Sequence, residues 1–170
     1  MNPSYFRIRT PLELATERLS SWWGVPLPNS FVETDSTAVV DLACDEAGNW
    51  RGGALFFYAK DDWTVFEDVT GGFGAIPAED WLKFAKNDQF VWAGYNDSIP
   101  CGEIVVLKGG EVLREFIDYP DSPEENRDRG TLASEETKPI RSWIEVASFV
   151  DSDELAFSEK GLLWINETRQ

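Results

Sequence analysis

The sequence predicts an α+β fold: a mainly antiparallel sheet with about three helices packed on one face or end. Three observations point there. Apolar residues recur at helical spacing in three stretches, each opened by proline. Short runs rich in Val, Ile, Phe and Trp lie between them, bounded by Gly, Asn and Asp turns. Residues 104–117 carry a two-residue hairpin signature around Gly109-Gly110. At 170 residues the chain suits one globular domain, residues 1–170. A chain of that size buries roughly 70% of its unfolded surface and needs no staples.

The elements follow in order. Thr10 is a candidate cap and Pro11 suits a first helical position. Leu12, Ala15, Leu19, Trp22 and Trp23 then keep helical spacing until Gly24, Pro26 and Pro28, which predicts an amphipathic helix over 11–23 packed on a sheet. Residues 38–44 are rich in Val and Leu and read as a strand. Residues 45–49 read as a turn, 50–59 as a strand, 60–62 as a turn, and 63–69 as a strand alternating from Val65 with Trp63 on its apolar face. Three consecutive strands with short turns predict an antiparallel meander.

Gly71-Gly72-Phe73-Gly74 interrupts this pattern, and Pro77 opens a second helix whose apolar side is Trp81, Leu82, Phe84 and Ala85. Residues 89–95 read as a strand and 96–100 as a loop. In the following hairpin, paired glycines supply the positive φ of a type I′ turn, so Leu107 should face Val112 and Val105 should face Arg114. Residues 118–138 read as a long acidic loop: from Glu115 to Glu136 there are eight acidic and two basic residues, a net of −6. A third helix is expected over 139–150, with Ile140, Trp143, Ile144, Ala147 and Val150 on one side, and a last strand at 162–165.

Composition narrows the function. There is no histidine, and 31 acidic residues oppose 15 basic ones, for a net charge of −16. The missing histidine removes the commonest general base and metal ligand, and the usual partner of a catalytic serine or cysteine. The acidic excess repels nucleic acid and anionic lipid and attracts cationic partners. Eight Trp and eleven Phe are too much apolar matter for a disordered tail. Residues 1–10 lack the apolar core of a signal peptide, and no run approaches about 18 apolar residues, so a cytoplasmic protein without a membrane span is expected. Cys44 and Cys101 belong to no Cys-x-x-Cys pair and read as buried thiols.

Each candidate for chemistry has a plainer reading. The 71–74 glycine cluster fits neither a Walker loop nor a dinucleotide fingerprint and reads as a strand-to-helix turn. Two acidic clusters, Asp118, Asp121, Glu124, Glu125 and Asp128, and Asp151, Asp153 and Glu154, lack EF-hand spacing and read as solvated surface. No metal and no cofactor is therefore expected. Paired carboxylates for glycoside hydrolysis are not identifiable among 31 acids without knowing their burial. Trp22, Trp81 and Trp143 read as core, whereas Trp50, Trp63 and Trp92 flank turns or strand ends and include candidate interface anchors.

Residues 63–73 (WTVFEDVTGGF), 94–97 (GYND) and 141–151 (RSWIEVASFVD) resemble segments of small bacterial toxin-immunity proteins. Residues 76–84 (IPAEDWLKF) are similar to the helix start of the SUKH superfamily, although they fall mid-chain here rather than near the N-terminus. The resemblance implies a compact α+β inhibitor whose partner is a toxin domain, and carries over no functional residue. The expected function is thus non-enzymatic: neutralising a cognate toxin, a basic nuclease or other enzyme of anionic substrates, by occluding its active site. The expected contact residues are Asp118, Tyr119, Asp121, Glu124 and Glu125, with Asp61, Asp62 and Trp63 as a second edge. Phe116 and Tyr119 would add apolar anchors. The rivals are a nucleic-acid mimic or regulatory binding module and a carboxylate-based hydrolase.

Overall fold

The computed structural model describes residues 4–24, 31–152 and 160–167. Its elements are β1 (Ser4–Ile8), α1 (Leu12–Trp23), β2 (Val32–Asp35), α2 (Val39–Ala43), β3 (Gly52–Lys60), β4 (Trp63–Asp68), α3 (Ala78–Ala85), β5 (Phe90–Asn96), β6 (Cys101–Lys108), β7 (Glu111–Asp118), β8 (Arg127–Gly130), α4 (Trp143–Ser152) and β9 (Lys160–Glu167). The nine strands form one antiparallel sheet in the order β2-β9-β3-β4-β1-β5-β6-β7-β8.

The α+β architecture expected from the sequence is present, with four helices shared between both faces of the sheet. On one face, Ala15 and Leu19 of α1 and Trp81, Phe84 and Ala85 of α3 pack on Phe6, Phe66, Phe90 and Trp92. On the other, α4 lays Val146 and Val150 against Tyr5, Ile104 and Phe116, while α2 lays Val39 and Ala43 against Phe56, Val65 and Leu163. Strand β1 explains the double cover. Its Tyr5 and Phe6 point to opposite faces and both are fully buried, so neither face can be left to water. Phe6 stacks on Phe66 at 4.7 Å between centroids, and Trp22 stacks on Trp81 at 4.9 Å. Such pairs add about 0.5–1.5 kcal/mol each beyond the area they bury.

Several elements depart from expectation. Residues 38–44 are not a strand: Asp35 Oδ1 accepts the Thr37 N–H at 3.0 Å, a turn follows, and α2 buries Val39 and Ala43 one helical turn apart while Val40 and Leu42 face solvent. A strand there would have needed cover on both faces. The meander therefore shrinks to the β3–β4 hairpin, and β4 pairs onward with β1 rather than with a sequence neighbour. Thr10 does not cap α1; its hydroxyl donates to Asp88 at 2.7 Å. Pro26 and Pro28 lie outside the described residues. The third helix begins at Trp143, four residues later than expected, and its buried side carries Val146 and Val150 with Ile144 turned to solvent at 58% exposure. In the β6–β7 hairpin Leu107 does face Val112, but a bulge at Val106/Leu107 sets Val105 opposite Glu115 and Arg114 opposite Val106.

The acidic segment after β7 is ordered. Two short 3₁₀ turns, Pro123–Glu125 and Ala133–Glu136, flank β8, which pairs with β7 as a sheet edge. Its anchor is Arg114, 2% exposed, whose guanidinium pairs with Asp128 and with Glu135 at 2.8 Å and donates to the Ile140 carbonyl at 3.2 Å.

Candidate functional site

The ladder registers define the two ends of the sheet. Asp68 of β4, Gly94 of β5 and Asp118 of β7 reach one end, where β1 and β6 start at Ser4 and Cys101. The turns 96–100 and 119–126 close that end. The β3–β4 turn closes the opposite one.

At the first end three buried carboxylates reach up from the sheet: Asp68 (β4), Glu103 (β6) and Glu115 (β7), 3%, 5% and 4% exposed. Asp68 and Glu103 accept N–H groups from the segment linking β4 to α3, and Glu115 accepts one from the first residue of α3. Gly71-Gly72 lets the chain double back over the sheet, and Asp68 receives Gly72 N at 3.0 Å and Phe73 N at 2.8 Å. Glu103 receives Ala75 N at 2.9 and 3.0 Å, Trp92 Nε1 at 3.0 Å and the Tyr119 hydroxyl. Glu115 receives Ala78 N at 3.1 Å and pairs with Arg127 at 3.0 Å. Helix α3 has no side-chain cap of its own at Pro77, so Glu115 satisfies one of its unbonded first-turn donors and sits at the positive end of its dipole.

A cavity of about 400 Å³ opens beside this strap. Asp68 and Glu103 lie in its wall with Trp50, Trp92, Tyr95 and Tyr119, and among the described residues no lysine or arginine lines it. Burial pushes the Asp68 carboxyl up, against the pull of the Gly72 and Phe73 N–H groups. Burial and then the Glu103 carboxylate hold the Tyr119 phenol far above its ordinary value, so it keeps its proton and donates. The same two causes raise the Cys101 thiol, which makes it a poor nucleophile.

The expected contact residues divide between the two ends. Asp121, Glu124 and Glu125 are exposed on the 119–126 turn at the cavity end. That turn is fixed: Tyr119 N donates to Asn126 Oδ1 at 2.6 Å, and Asn126 Nδ2 donates to Asp118 Oδ1 at 3.3 Å. Asp118 and Tyr119 themselves are turned inward. Asp118 Oδ2 accepts Trp143 N at 2.8 Å at the start of α4, and Tyr119 closes on Glu103. Asp61, Asp62 and Trp63 sit at the opposite end of the sheet. There Asp62 pairs with Arg9, and the Arg7 guanidinium lies 4.9 Å over the Trp63 ring. The two sets are not one surface.

Sequence reasoning missed Glu103, Glu115 and Arg114. Their signal was present: charged residues inside otherwise apolar runs, Gly102-Glu103-Ile104 and Arg114-Glu115-Phe116, in a hairpin covered on both faces. Of the candidate Trp anchors, Trp92 is buried at 2% and Trp50 is exposed at 46%. Cys44 and Cys101 are not disulfide-bonded. Among the described residues no group of three or more Cys, Asp or Glu is arranged to hold a metal, and no helix is long and apolar enough to cross a membrane. Asp153 and Glu154 of the second acidic cluster lie outside the described residues. No family model matches the chain, and no curated protein and no solved structure matches it.

Proposed function

We propose that this chain is a non-enzymatic binding protein that neutralises a cognate toxin domain, a basic nuclease or another enzyme of anionic substrates, by occluding its active site with the cavity end of the sheet. One observation carries the reading. Asp121, Glu124 and Glu125 stand exposed on a turn fixed by Asn126, at the same end as the exposed apolar side chains Trp50, Ile99 and Ile144. Rigid acids speed encounter with a basic surface, and apolar anchors slow release. The segments resembling immunity proteins support the same reading. Asp61, Asp62 and Trp63 lie at the far end of the sheet and are outside this contact surface.

The test reads the neighbouring genes for a toxin domain, whose absence counts against the reading, and titrates that domain with this chain at rising salt. Replacing Asp121, Glu124 and Glu125 by serine should slow association about tenfold at low salt and flatten its salt slope. Unchanged rates and an unchanged slope would remove these acids from the interface.

A carboxylate hydrolase is the second reading, favoured by the cavity with Asp68 and Glu103 in its wall. Against it, both oxygens of each carboxylate are engaged by the chain's own donors, which suits fixing a turn rather than activating water.

A further inference from the structure

We propose that the cavity beside the 71–75 strap is a receptor for a guanidinium group, supplied by an arginine side chain of the protein that this chain binds. The inference rests on the binding-protein reading and assigns that interface a specific anchor.

Three features select the ligand. Charge comes first: Asp68 and Glu103 stand in the wall, and among the described residues no lysine or arginine lines the cavity to neutralise them. Shape comes second. At about 400 Å³ the space lies near the lower end of ligand pockets, roughly 300–1,000 Å³, and suits one long side chain with some water. The walls come third, because Trp50, Tyr95 and Tyr119 offer aromatic surface, with Trp50 exposed at the rim.

The engaged oxygens then separate the two biological cations. Asp68 already accepts two backbone N–H groups, and Glu103 accepts Ala75 N, Trp92 Nε1 and Tyr119. What they offer a newcomer is field more than vacant acceptor. An ammonium is a strongly hydrated point charge that needs acceptors to replace its water. A guanidinium is weakly hydrated, planar, and binds by stacking on aromatic faces within a negative field. The cavity therefore fits arginine better than lysine.

The experiment uses the full chain and N-acetyl-arginine amide as the probe, followed through the indole N–H resonances. Trp92 Nε1–H bonds Glu103 in the cavity wall and is the reporter. Saturable binding that moves the Trp92 signal is expected. N-acetyl-citrulline amide, the neutral isostere, should fail to saturate at the same concentrations, and N-acetyl-lysine amide should bind more weakly than the arginine probe. Trp50→Ala, at an exposed side chain whose loss leaves the core intact, should weaken the arginine probe about threefold, as one lost cation–π contact implies. No saturable shift, or equal binding by the citrulline probe, overturns the proposal. Tighter binding of free L-arginine than of the capped form would make the ligand a metabolite and overturn the partner as its source. If the probe fails while the toxin titration keeps a salt slope that the triple serine variant flattens, the cavity assignment falls and the binding-protein reading stands.

Discussion

Removing Arg114 should cost far more than removing its most visible partner. The guanidinium is 2% exposed and faces Glu135, whose side chain is 6% exposed, and Asp128, whose side chain is 72% exposed. Arg114→Met keeps the stem's packing and deletes the charge. Glu135 is then a buried carboxylate without its cation, although it keeps the Leu132 and Ile140 N–H groups at 2.9 and 3.3 Å. Breaking a buried pair from one side costs about 3–5 kcal/mol. That is a large part of the about 5–15 kcal/mol that holds an ordinary domain together. Asp128→Asn loses a partner that is mostly in water and should cost less than about 1 kcal/mol. Urea unfolding of both variants measures the difference, and amide exchange across 127–140 locates it. The predicted pattern is a marked drop in midpoint for Arg114→Met, with early exchange in β8 and the Ala133–Glu136 turn. If the two substitutions shift the midpoint equally, Arg114 is not what fastens the acidic segment to the sheet.

Two further outcomes follow from burial. Glu67 is pushed up by burial while the Tyr58 hydroxyl, bonded at 2.9 Å, pulls it down. A carboxyl raised on folding binds more protons in the folded state, so its contribution is fully present below the ordinary value of 4.5 and is lost as pH rises through the folded value. Glu67→Gln should therefore gain stability relative to the parent at pH 7 compared with pH 4, and an equal difference at both pH values in urea unfolding would refute the assignment. Gly102 lies under α4, where a Cβ would come within 2.8 Å of Val146 Cβ and 2.9 Å of Trp143 Cα. Gly102→Ala should cost about 1–3 kcal/mol by forcing the helix outward, and protection of α4 amides equal to the parent's would show that the helix had room to spare.

The sequence was informative where a local rule decides the outcome. Gly109-Gly110, with φ of 63° and 80°, placed the β6–β7 turn correctly, and Pro77 placed the start of α3. It was silent where tertiary cover decides. Ser4–Ile8 shows no alternation because both its faces are buried, so the strand at the centre of the sheet carried no signal. Arg127–Gly130 has no apolar residue at all and is a strand only because β7 offers an edge. Val39 and Ala43 needed cover on one side only, which made a Val- and Leu-rich run a helix. For the candidate site, Asp121, Glu124 and Glu125 were readable as an acidic turn. That Asp118 and Tyr119 point inward depends on Trp143 and Glu103, partners 25 and 16 residues away, and no local pattern encodes such a pairing.

The position of β1 has a kinetic consequence. Among the described residues it is the one strand joining the half-sheet β2-β9-β3-β4 to the half-sheet β5-β6-β7-β8. Ribosomal synthesis delivers it before either neighbour exists: Phe6 must wait for Phe66 on one side and for Trp92 on the other. Until then Tyr5, Phe6 and Ile8, all fully buried in the folded sheet, have neither neighbouring strand to cover them. A central strand whose partners lie about 60 and 85 residues further along the chain closes long loops, and a topology of this kind is expected to fold slowly.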